Sequence, residues 1–205
     1  LITGSNRGIG LELVHHYLLQ DDILIFATCR NPSDASDLQT LAKQHPDRVH
    51  VVELDVVNQI SIEESVATVS QTVDGLDMLI NNAGILPGGV DNRAKNIGTF
   101  GLLEADAMLN VFRVNSISPI IVTQTYADLL RNGTNARVIN VSSDAGSINR
   151  RSTGCDYSYP SSKAALNMMS RCLAGDLRVD NVIVISIHPG FIQTDMGGVN
   201  AHLTL

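Results

Sequence analysis

Tryptophan is absent from this 205-residue chain, and cysteine is scarce, with thiols only at Cys29, Cys155 and Cys172. An odd number of widely spaced cysteines suits neither a disulfide framework nor a zinc site, so the sequence predicts reduced thiols, a cytoplasmic setting and no metal. The histidines, including the His15–His16 pair and His188, lack metal-ligand spacing as well. Basic residues are few: 14 Lys and Arg against 21 Asp and Glu leave a formal net charge of −7. That balance excludes the basic clusters of a nucleic-acid surface. No apolar run approaches the roughly 20 residues that cross a bilayer, and no secretory segment is visible in a sequence that opens at Leu1, inside its first predicted strand. With 44% hydrophobic and 17% charged residues, the chain reads as one soluble domain, residues 1–205, large enough for a well-buried core. Asn132-Gly133-Thr134 and Asn140-Val141-Ser142 have the form of glycosylation acceptors, but the second falls on a predicted buried strand, and both are read as incidental.

What the chain does have is a regular alternation of strands and helices, the pattern of a doubly wound α/β sheet. Leu1-Ile2 leads into a glycine-rich turn, and Leu11, Leu13, Val14, Tyr17 and Leu18 then recur at helical spacing. Residues 23–29, 49–54, 78–81, 137–142 and 182–187 read as apolar strands. Between them, Leu38 and Leu41 mark a short helix, Ile62, Val66, Val69 and Val73 an amphipathic one, and residues 105–130 a long helix interrupted near Pro119. A polar loop opens at Pro87-Gly88-Gly89 and reaches about Leu102, and a helix is expected over residues 159–179.

Two motifs carry chemistry. The first is Thr3-Gly4-Ser5-Asn6-Arg7-Gly8-Ile9-Gly10, between a strand and a helix. Glycines there allow a sharp turn and a close backbone approach to a pyrophosphate, whose charge the helix N-terminus would hold. The spacing G-x-x-x-G-x-G departs from the G-x-G-x-x-G dinucleotide fingerprint, and a plain glycine-rich surface turn is the alternative. The second is Tyr159-Pro160-Ser161-Ser162-Lys163, which places a phenol and an ammonium on one helical face. Bringing a tyrosine from a pKa of about 10 to near 7 takes about 4 kcal/mol. A lysine at about 5 Å supplies roughly 3 kcal/mol at an effective dielectric of about 20. Tyr157 has Ser161 four residues on and lacks such a partner. An exposed helix face is the plain alternative for this spacing.

Taken together and in this order, the motifs resemble the short-chain dehydrogenase/reductase family over nearly the whole chain. Thr3-Gly4-x-x-x-Gly8-x-Gly10, Asn81-Asn82-Ala83-Gly84, Asn140-Val141-Ser142-Ser143, Tyr159-x-x-x-Lys163 and Pro189-Gly190 match its motifs in family order. Thr28-Cys29-Arg30-Asn31, the step from Ser143 to Tyr159, and His188-Pro189-Gly190 followed by Thr194-Asp195-Met196-Gly197-Gly198 are similar to the sniffer and C-factor type of carbonyl reductase. The resemblance implies a Rossmann-like fold, and a homodimer or homotetramer joined through helices such as the one bearing Ala164, Ala165, Met168 and Met169. It implies reduction of a carbonyl substrate, with Ser143 stabilising charge on the oxygen, Tyr159 as acid, Lys163 beside it, and Asn115 holding a relay water. It also implies a cofactor site formed by Gly4, Ser5, Asn6, Arg7, Gly8, Ile9 and Gly10, by Asp55 and Val56 around adenine, by Asn82, Ala83 and Gly84, by Tyr159 and Lys163, and by Pro189, Gly190, Ile192 and Thr194. Ser142 is the rival of Ser143, and Asp55 is also readable as a turn residue. The family's further helix and last strand after the P-G turn have no counterpart before Leu205.

The choice of dinucleotide follows from charge. An acidic residue about twenty positions past the glycines would accept from a ribose 2′-hydroxyl, whereas an arginine there suits a 2′-phosphate. That place holds Arg30, and Arg7 lies within the glycine motif, while Asp34 and Asp37 come too late. The expected cofactor is therefore NADP(H). Two rival readings are a dinucleotide-binding sensor with little turnover and an NAD-dependent alcohol dehydrogenase.

Overall fold

The computed structural model describes residues 1–86, 98–152, 154, 156–198 and 201–204. Five parallel strands are β1 (Ile25–Cys29), β2 (Val49–Glu53), β3 (Met78–Asn81), β4 (Arg137–Val141) and β5 (Ile183–Ile187). Residues 1–3 run between β1 and β3 and join the two halves. Ile2 N–H donates to Phe26 O at 2.9 Å and Thr3 N–H to Ile80 O at 3.0 Å, with bonds returning from Thr28 and Ile80. The spatial order is thus β2, β1, residues 1–3, β3, β4, β5. The sequence order of the strands reverses beside the N-terminal segment, and ligands bind at the carboxyl edge of such a switch point.

Alternate residues of each strand feed two cores, one on each face of the sheet. Phe26, Leu79 and Val138 point into a cluster with Ile62, Val69, Val122, Tyr126 and Leu130. Their neighbours Ile25, Ala27, Ile80 and Val141 point into the other, with Val14, Leu38 and Leu41. The first is covered by α3 (Gln59–Ser70), α5 (Ser118–Thr125) and α6 (Ala127–Asn132), the second by α1 (Gly8–Leu18) and α2 (Ser36–Gln44). A parallel sheet clad on both faces needs near-continuous apolar strands, and β1 is buried at every position. The fold class expected from the alternating pattern is the one observed. At β5, Val182 and Val184 join the first core, whereas Ile183, Ile185 and Ile187 on the opposite face are 52%, 42% and 39% exposed.

The long helix expected to be interrupted near Pro119 is divided there. α4 (Ala105–Phe112) passes into a π-helical turn, Arg113–Ile117, before α5, and α6 starts after Tyr126. Pro119 lacks a donor, and the Ser118 hydroxyl bonds back to Arg113 O at 2.7 Å, so the turn widens ahead of the proline. The helix expected over 159–179 is α7 (Ser158–Asp176), followed by a 3₁₀ turn. Most of the loop expected from Pro87 to Leu102 lies outside the described residues. Asn140, the second glycosylation-like position, is buried and bonded to Asn81 and to Ser170, which supports its reading as incidental.

Candidate active site

The glycine turn is built to hold an anion. Gly4 and Gly8 take positive φ angles of 66° and 55°, a conformation costly for a residue with a side chain. Arg7 stands at the N-cap of α1 with no side-chain cap, so first-turn amides remain for a ligand. At Gly10 the fit is tightest, since an added Cβ would lie 2.3 Å from Gly4 O and 2.6 Å from Asn82 Nδ2. Gly10→Ala is expected to lower stability by about 1–3 kcal/mol, as overpacking does. Urea unfolding checks it, and an unchanged midpoint would mean the turn yields freely.

A strap from the next half of the sheet buckles onto this turn. Asn82 Nδ2 donates to Thr3 O and Gly4 O at 2.9 and 3.0 Å, while Thr3 Oγ1 accepts from the amides of Asn82 and Ala83, both at 3.0 Å. Thr3 was present in the motif but not among the expected site residues; its hydroxyl is what ties the two segments together. Ser5 differs from expectation in another way. Its fully buried hydroxyl donates to Ile2 O and accepts from Thr28 N–H, so its side chain serves the sheet and only its backbone is left for a ligand. Asn6, Arg7 and Arg30 are exposed, and Ile9 is half-buried. Asp55 accepts from Val57 N–H at 3.1 Å, closing a turn after β2, and Val56 follows it half-buried.

Beyond β3, Gly84 marks where the halves of the site meet. A Cβ there would stand 3.4 Å from Asn115 Oδ1 and 3.9 Å from Lys163 Nζ. Asn115 lies in the π-helical turn and is completely buried. Its carboxamide clamps the backbone of Ile85, accepting from the N–H and donating to the carbonyl, each at 2.8 Å, and donates also to Ser162 Oγ at 3.2 Å. The carboxamide is thus engaged at both ends and fixes the Ile85 backbone against α7. Ser116 Oγ donates to Ser162 O at 2.8 Å, so the π turn is riveted to α7 one residue before the lysine.

On α7 the expected pair is present. Lys163 Nζ lies 5.7 Å from the centre of the Tyr159 ring and donates to Val141 O at 2.7 Å. Burial pushes Lys163 down to about 8. The tyrosine runs against the expectation that lysine lowers it. Burial holds Tyr159 above its ordinary value, the Ser143 hydroxyl bond opposes this, and the Asp156 and Asp144 carboxylates add to the rise. A neighbouring ammonium favours the phenolate, but withdrawal of water from the ring disfavours it, and burial is the larger effect here. Asp156 also accepts from Tyr159 N–H at 3.2 Å and so fixes the start of α7.

The two candidate serines separate cleanly. Ser142 is buried and donates to Asn167 Oδ1 at 2.7 Å, whereas Ser143 turns toward Tyr159. Asp144, beside it, faces Arg150 at 3.4 Å and His188 at 3.7 Å. Pro189 and Gly190 follow β5, Ile192 pairs with Leu203, and the Thr194 methyl would lie 3.4 Å from a Cβ at Gly8. The glycine turn, the strap, Ser143, Tyr159, Lys163 and the P-G turn therefore gather along one edge of the sheet.

The short chain dehydrogenase family model matches residues 1–202. The chain belongs to the short-chain dehydrogenase family. Among solved structures, an NADPH-bound carbonyl reductase from chicken fatty liver is similar at TM-score 0.89 and 36% identity, over 99% of this chain and 84% of that one. The carbonyl reductase Sniffer of Drosophila melanogaster has a TM-score of 0.88 and 33% identity, over 98% and 84% of the two chains. An uncharacterized oxidoreductase of Schizosaccharomyces pombe is 37% identical over 198 residues, 95% of this chain and 74% of that protein. The chain is thus an oxidoreductase of a family that uses a nicotinamide dinucleotide, and the glycine cradle with its uncapped helix start fits one. Among the described residues, no helix is long and apolar enough to cross a membrane, and no cluster of His, Cys, Asp and Glu could hold a metal.

Proposed function

We propose that this protein reduces an aldehyde, ketone or quinone to an alcohol with NADPH. The observation that carries the reading is the convergence of the Ser143 hydroxyl and the buried Lys163 ammonium on Tyr159, beside Gly84 and the glycine turn. When bound, the nicotinamide supplies the hydride that the carbonyl carbon takes. Ser143 donates a hydrogen bond to the carbonyl oxygen and stabilises its growing negative charge. Tyr159 gives that oxygen its proton and completes the hydroxyl. Lys163 supplies positive charge to the tyrosinate left behind and is the residue to hold the ribose of the cofactor. Asn115 acts as a positioning residue, holding Ile85 and Ser162 so that Gly84 and Lys163 keep their places. Gly4 to Gly10, Asp55, Val56, Asn82 to Gly84 and the turn from Pro189 to Thr194 would hold the cofactor, and the protein acts as a homo-oligomer.

The preference for NADPH rests on Arg30 and Arg7, and is supported by the NADPH named with the chicken enzyme. Arg30 makes no ion pair among the described residues, which leaves its guanidinium free for a phosphate. Arg30→Ala should raise the Kd for NADPH about tenfold or more, the scale of a lost charged hydrogen bond, and leave NADH unmoved. The function itself is tested by following NADPH oxidation with a panel of aldehydes, ketones and quinones, NADH running in parallel. Turnover with NADPH supports the reading; tighter binding and faster turnover with NADH would replace it with the NAD-dependent alternative.

A further inference from the structure

One ion pair crosses the mouth of the cofactor site. Arg7 Nη1 stands 2.5 Å from Asp195 Oδ2, joining the glycine turn to the segment after the P-G turn across 188 residues of sequence. The carboxylate is presented by a braced loop. Gly198 N–H donates to Thr194 O at 2.7 Å and Gly197 N–H to Thr194 Oγ1 at 3.0 Å. The preceding strand-like stretch is pinned in turn, with Gln193 N–H donating to Leu203 O at 2.8 Å and Gln193 Nε2 to Ala201 O at 2.8 Å. Arg7 itself has extended backbone and no capping role, so its guanidinium is free to change partners. The two arginines read as phosphate ligands are therefore unlike: among the described residues Arg30 has no ion pair, and Arg7 already has an anion.

We propose that Asp195 is a specificity-determining positioning residue, which holds Arg7 in a pair that a dinucleotide 2′-phosphate must break. The inference rests on the NADPH reading above. A phosphate that takes the guanidinium competes with one carboxylate for the same donors. An unphosphorylated dinucleotide meets no such competition, so Asp195 narrows the preference for the phosphorylated cofactor. The coupling is reciprocal: phosphate on Arg7 releases the 194–198 turn, and a fixed turn weakens phosphate binding.

The test is calorimetric titration of NADP⁺ and of NAD⁺ into the wild-type chain, Asp195→Asn, Asp195→Glu and Arg7→Ala. Both members of the pair are largely exposed, so the expected change is modest. Asp195→Asn should bind NADP⁺ about two- to fivefold more tightly, the scale of an exposed ion pair, with NAD⁺ unchanged, and Asp195→Glu should restore the wild-type value. Weaker or equal NADP⁺ binding by Asp195→Asn, or an equal change for both dinucleotides, overturns the proposal. Arg7→Ala separates the two readings. If it weakens NADP⁺ alone, the cofactor reading stands, and a silent Asp195→Asn counts only against the latch. If the wild-type chain prefers NAD⁺, the cofactor reading falls and the latch falls with it.

Discussion

Tyr159→Phe lowers turnover about 10²- to 10⁴-fold, the range expected for losing a positioned general acid, and leaves NADPH affinity nearly intact. The substitution removes one hydroxyl and keeps the ring against Lys163. The size of the loss follows from where that hydroxyl sits. Burial and the carboxylates of Asp156 and Asp144 hold the tyrosine above its ordinary value, so it is protonated at neutral pH and ready to donate. Ser143 is a far weaker acid, Ser142 is spent on Asn167, and the Lys163 ammonium is turned to Val141 O. Turnover at the wild-type rate in a folded Phe variant would show that the proton comes from elsewhere. Cofactor binding measured on the same sample separates lost chemistry from a lost site.

Lys163→Met also removes turnover, and it does so while relieving a burden on the fold. The ammonium is buried beneath the sheet edge, and its pKa falls from 10.5 to about 8 because water has been withdrawn from it. That fall disfavours the charged form by roughly 3 kcal/mol at neutral pH. Against this stands the 2.7 Å bond to Val141 O, whose loss leaves a carbonyl unpaired at a cost of about 1–3 kcal/mol. The Met variant should therefore be at least as stable as the wild type near pH 7 despite losing its activity. The pH dependence carries a definite sign. Between about 8 and 10.5 the unfolded chain binds the proton that the folded chain has released, so wild-type stability rises with pH through that window. Turnover moves oppositely, falling as pH passes about 8 and Lys163 loses its charge. Denaturant unfolding and kcat/KM profiles from pH 6 to 10 check both. A wild-type rate flat through pH 9, or a Met variant strongly destabilised at pH 7, would remove the electrostatic argument.

Much of this site was legible from residue spacing. The glycine turn was visible because a strand, a run of glycines and an amphipathic helix are local features, and Gly4 and Gly8 adopt the positive φ that such a turn demands. The Tyr159–Lys163 pair was visible because a separation of four residues on a helix is a distance. The alternation of strands and helices foretold the parallel sheet for the same reason. What was not legible lay between distant segments. Pro119 announced a break in the helix expected over 105–130, but not its π geometry, where Ser116 bonds to Ser162 O and Ser118 back to Arg113. Nor did spacing show that the Asn115 carboxamide clamps the backbone of Ile85, thirty residues away. Arg7 was read within the glycine motif, and nothing along the chain showed Asp195 standing across from it. Tyr159 was expected below 10, and a ring surrounded by protein lies above it.

The sequence by itself determined the kind of fold, the edge at which chemistry gathers and the side chains available to perform it. These depend on backbone periodicity, on glycine and proline stereochemistry, and on charges close together along the chain. Only the tertiary structure decided which partners those side chains take: Ser142 on Asn167, Arg7 on Asp195, Arg30 without an ion pair among the described residues, and Asn115 as a clamp on Ile85. The reason is physical. A hydrogen-bonding group takes whatever partner the packing brings within about 3 Å, and desolvation depends on the number of atoms that surround a group, neither of which spacing along a chain records.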